Sequence, residues 1–127
     1  MKRAISYGTW IVVVHLLVNV LHGTAHLKLH VELDAGTKLF VIVFILILPL
    51  AAMVLLWASR ARLGLLLLAT SMGSSLIFGM YKHFGALGPD RVGQHAPGPW
   101  GTIFAVTAYL LMATEAVGTY IGLRFLI

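Results

Sequence analysis

Residues 16–30 read LLVNVLHGTAHLKLH. The run is apolar enough to lie in a lipid bilayer, yet it is threaded with His22, His26 and His30 and preceded by His15. On a helix advancing 100° per residue, His15, Asn19, His22, His26 and His30 share one stripe about 80° wide. Gly8 lies on the same line, where it lets a neighbour approach. A polar group exposed to lipid has no partner for its hydrogen bonds, so this stripe must face the interior of a helix bundle or a hydrated cleft.

The rest of the chain supports a membrane reading. Its 127 residues are 60% hydrophobic and only 10% charged, too little polar surface for a soluble domain. The net charge of +5 does not point to nucleic acid, because Lys and Arg sit at the ends of apolar runs, where they anchor topology. The absence of cysteine excludes disulfides, thiolate metal sites, iron–sulfur clusters and thiol catalysis. Met1-Lys2-Arg3 followed by an apolar run resembles a signal peptide, but polar interruptions and further apolar segments predict an uncleaved first helix.

Crossing a bilayer takes about 20 apolar helical residues. Four segments qualify, at about 7–31, 37–58, 63–82 and 100–125, and predict an all-α, single-domain protein over 1–127 with an antiparallel up-down bundle. Glu32–Gly36 and Ser59–Arg62 are short polar turns, and Gly85–Pro99 is a Gly/Pro-rich loop. The apolar runs are continuous, not alternating, which excludes a β-barrel. Lys2, Arg3, Arg60, Arg62 and Arg124 gather on one side without acidic neighbours. The positive-inside rule then places both termini in the cytoplasm of a multi-pass protein of the plasma or inner membrane. The second helix carries a kinking Pro49 and no chemistry. Ser71, Ser75 and Gly79 on the third, and Gly118 and Gly122 on the fourth, are small residues spaced for close helix packing.

His83 continues the Ser71–Ser75–Gly79 row and His95 lies in the Gly/Pro loop, so five of the six histidines are expected at one level of the membrane. His22 and His26, at i and i+4, are the primary ligand candidates for a transition metal (Cu, Zn or Fe), with His83 as partner and His30 and His95 as completions. Met80 is a soft donor that would favour copper. A b-type haem is the rival cofactor, held by His22 or His26 opposite His83, with Gly23 and Gly79 making room. Glu115, alone in an apolar helix, is expected to pair with His15 beside Asn19, at a depth on the order of 10–15 Å.

These residues predict a small redox or metal-handling component, acting in electron transfer or metal binding. Two other classes fit the same pattern. One is a proton-coupled transporter or channel using a His/Glu relay. The other is a non-catalytic subunit or assembly factor. The lipid bilayer is the expected partner, together with further copies of the chain or a larger membrane complex. No Ser–His–Asp set or phosphate-cradling loop is present in the sequence, and Asp90 is expected to pair with Arg91.

Overall fold

Lipid offers the backbone no hydrogen-bond partner, so each apolar run closes on itself as a helix. The computed structural model describes residues 1–95 and 97–127. It contains four helices long and apolar enough to cross a membrane: α1 Lys2–Lys28, α2 Ala35–Trp57, α3 Ala61–Gly85 and α4 Pro99–Leu126. No strand occurs among the described residues.

The helix ends differ from the sequence expectation for local reasons. α1 starts at Lys2 rather than near residue 7, and it stops at Lys28 because His30 turns the chain with φ of 54°. Asp34 caps α2: its carboxylate accepts from the Thr37 amide at 2.9 Å and the Thr37 hydroxyl at 2.8 Å. α3 runs past residue 82 through a final wide π turn, Tyr81–Gly85.

Pro49 shapes α2 more than a simple kink would. The segment before it, Val41–Ile47, is π-helical, and the Leu48 amide reaches back five residues to the Val43 carbonyl. In that register the Phe44 carbonyl should receive the amide of residue 49, which proline lacks. The Ser75 hydroxyl of α3 stands 3.3 Å from this carbonyl and 2.8 Å from Ser71 O, sharing its proton between them. Ser75 therefore does more than make room.

α4 lies between α1 and α3, and α2 packs on α3. α1 meets α2 chiefly through its Leu48–Trp57 half, so the Ala35–Ile47 half leans onto α3 and a cleft opens beside α1. Glycines set the tightest crossings. A Cβ on Gly122 would come within 2.7 Å of Ala69 N and 2.8 Å of Leu65 O, and one on Gly64 within 2.9 Å of Ala52 O. The polarity of the molecule is inverted: His15, His22, Ser71, Ser75, Thr107 and Glu115 are buried, whereas Leu17, Val20, Leu27, Leu39 and Ile77 are exposed. That distribution suits a lipid surround.

Candidate histidine site

The polar stripe of α1 turns inward. Ala4, Gly8, Val12, His15, His22 and Ala25 form its buried face, packed mainly against α4. At the end of the bundle nearest the Gly/Pro loop, His22 approaches His26 and His83 with ring centroids 4.9 Å away in each case; His26 and His83 are 6.4 Å apart. All three rings meet Phe104 of α4, at 4.7, 5.0 and 5.5 Å, and Phe104 is fully buried. The bundle thus collects imidazoles from α1 and α3 around one aromatic ring of α4.

Hydrogen bonds decide which nitrogen of His22 and of His83 carries the proton. The Thr107 hydroxyl donates to Ile103 O at 2.6 Å, which leaves its oxygen to accept from His22 Nδ1–H at 2.7 Å. In the neutral ring His22 Nε2 is then a bare lone pair, and it is buried with no partner among the described residues. His83 Nδ1 lies 2.7 Å from the Asp90 backbone carbonyl, which can only accept, so Nε2 of the neutral His83 ring is bare as well. His26 differs. Its Nε2 stands 3.2 Å from Asp90 Oδ1 and its Nδ1 3.5 Å from Val31 O, so both nitrogens face acceptors.

Asp90 is the residue missed by sequence reasoning. It does not pair with Arg91 among the described residues; it turns inward, to His26 and, at 3.5 Å, to His83 Nδ1. Its partial burial would raise its carboxyl, but the close His26 ring and the neighbouring imidazoles of His83 and His22 outweigh this and hold it below the ordinary carboxylate value of 3.8.

The expected polar pair of His15 and Glu115 is not formed. His15 Nδ1 bonds instead to Thr114 Oγ1 at 3.2 Å, and Thr114 donates onward to Leu111 O at 3.0 Å. The Thr114 hydroxyl serves both neighbours, and Glu115, the next residue of α4, lines the cleft instead. The arrangement repeats that of His22 and Thr107, seven residues along α1 and seven back along α4, as antiparallel helices require. His15 Nε2 is likewise buried and unpartnered among the described residues. Asn19 donates to the His15 carbonyl at 3.0 Å.

His30 does not join the cluster: it is exposed, in the turn after α1. His95 meets Phe104 at 4.5 Å but stacks on none of the three clustered imidazoles, and its Nε2 is buried with no partner among the described residues. Met80 is half exposed and does not line the cleft. Among the described residues, no three His, Asp or Glu side chains are already arranged to hold a metal ion.

The cluster opens into a cleft of about 540 Å³. Its polar lining includes Asp90, His26, His83, His22, Asn19 and Glu115, with Glu32, Thr37 and Lys38, set among Val41, Ile45, Phe78 and Leu111. Fold and site together define a four-helix, membrane-spanning class of protein with a buried histidine cluster at one end. Comparison with family models, curated proteins and solved structures gave no match.

Proposed function

We propose that the chain binds a transition metal ion at its histidine end and acts as a small metal-handling or redox component. His22 Nε2 and His83 Nε2 are the first two ligands, and His26 or the Asp90 carboxylate supplies the third once their mutual contact opens. The observation that carries this reading is the orientation of the two rings. Thr107 and the Asp90 carbonyl each take an Nδ1–H and leave Nε2 free, the outer-shell pattern that aims imidazoles at a metal. The nitrogen and oxygen donor set suits Zn²⁺ or Cu²⁺. The edge-to-face contact of His22 with His83 favours an ion over haem b, since a porphyrin would have to part the two rings.

Zn²⁺ titration of the purified, chelator-stripped full chain in detergent, with Co²⁺ as a visible probe, tests the reading. One ion per chain is expected. His22→Ala and His83→Ala abolish binding, Thr107→Val weakens it by about 10–100-fold, and His30→Ala leaves it unchanged. Absence of stoichiometric binding, or equal loss in His30→Ala, overturns it.

One observation favours a second reading, proton transfer: the ionisable residues Asp90, His26, His83, His22 and Glu115, with Asn19 between, line a single cleft. Proton flux into liposomes that falls in Glu115→Gln and His22→Ala would support it; flux unchanged in both rejects it.

A further inference from the structure

The deep half of the cleft has its own chemistry, separate from the histidine end. Glu115 is only 3% exposed, lines the cleft, and forms no ion pair with any described residue. Its Oε2 would lie 3.7 Å from a Cβ on Gly79, so the absence of a side chain there leaves one face of the carboxyl open. Further along the same cleft, beside His22, a Cβ on Gly23 would meet nothing within 4 Å. Space and an unanswered acid therefore occur together.

The polar lining is short of donors. The Asn19 amide nitrogen is spent on His15 O, which leaves Oδ1 to accept, and the neutral His22 and His83 rings offer bare Nε2 atoms. Lys38 is the lining residue with a fixed positive charge, and it is exposed in the first turn of α2, with Glu32 also at the rim. A buried carboxyl left alone takes up a proton, and it holds its charge only when a positive charge or strong donor answers it. The remaining wall is apolar, with Ile45, Phe78, Leu111 and Met112. A ligand that seats against this wall and holds Glu115 ionised is lipophilic, carries positive charge, and presents N–H donors.

We infer that this half of the cleft binds a lipophilic heteroaromatic cation that bears amino donors, with Glu115 as counter-ion and Asn19 Oδ1 as a further acceptor. The inference does not rest on the metal reading. The cavity volume lies within the range of small-molecule sites.

Ethidium, a flat cation with amino donors, serves as the probe, its fluorescence followed on the full chain in detergent with EDTA present to remove metal. Saturable one-to-one binding is expected. Glu115→Gln should weaken it by at least about tenfold, as loss of a charged partner does, whereas Glu115→Asp retains most of it. Gly23→Leu, which fills open space, should abolish binding while helicity and monodispersity are kept. No saturable binding by the native chain overturns the inference. So does equal binding in Glu115→Gln and Gly23→Leu, which is micelle partitioning. A neutral phenanthridine that binds as tightly, regardless of Glu115, overturns it too. Metal titration of Glu115→Gln separates the two sites, since Zn²⁺ binding should be unaffected there whether or not the cation site exists.

Discussion

A threonine hydroxyl has one proton to give, and in α4 that proton goes to the carbonyl a turn back. What remains is an acceptor, and this decides the tautomer of the imidazole opposite. Thr107 acts so on His22 and Thr114 on His15. The His22 ring should therefore hold the Nδ1–H form, visible as ¹⁵N shifts in long-range imidazole correlation spectra at pH above 7. Thr107→Val should remove that preference at His22 alone and leave His15 unchanged. Part of this was legible in the chain: His15 and His22, Thr107 and Thr114 share a seven-residue spacing that runs in opposite directions on two antiparallel helices. Asp90 was not legible. A carboxylate in a turn-rich loop next to an arginine reads as a surface pair, and nothing local indicates that the loop folds inward over α1 and α3.

Among elements, α2 shows how one proline is accommodated by a neighbour. The missing amide at Pro49 leaves the Phe44 carbonyl to the Ser75 hydroxyl. Ser75→Ala should cost about 0.5–1.5 kcal/mol in the native chain. In a Pro49→Ala background, where the backbone regains a donor, the cost should largely vanish; a double-mutant cycle of denaturant stability measures the coupling. Proline was recognised in the sequence as a kink, but its partner lies across a helix interface and could not be.

The start of α2 yields a pH prediction. The Thr37 amide and then its hydroxyl hold the Asp34 carboxyl below its ordinary 3.8. A depressed acid stabilises the fold above that value and loses the contribution as pH falls through its lowered one. Hydrogen exchange at the Thr37 amide, corrected for intrinsic rate, should be flat from pH 7 to 5 and quicken only below 3.8. Asp34→Ala should show the faster exchange at every pH.

For the molecule as a whole, the inverted distribution of polarity means that helix association comes from close packing and interior hydrogen bonds. At Gly122 α3 and α4 come close, with backbone atoms of Ala69 and Leu65 in the path of any Cβ. Gly122→Ala should cost about 1–3 kcal/mol by overpacking, read as a lower midpoint in SDS titration. Gly23→Ala, facing open space, should leave the midpoint unchanged. Both are glycines on apolar helices, and only the packed bundle distinguishes them.

The sequence by itself determined four spanning helices, the inward face of α1 and the grouping of His22, His26 and His83, because these follow from hydrophobic length and helical periodicity, which are local. Only the tertiary structure decided that His15 bonds Thr114 and not Glu115, that Asp90 rather than His30 joins the cluster, and that Glu115 faces an open cleft. Those outcomes depend on side chains brought together from distant helices and on where α2 leans away at Pro49. Such contacts have no period along the chain.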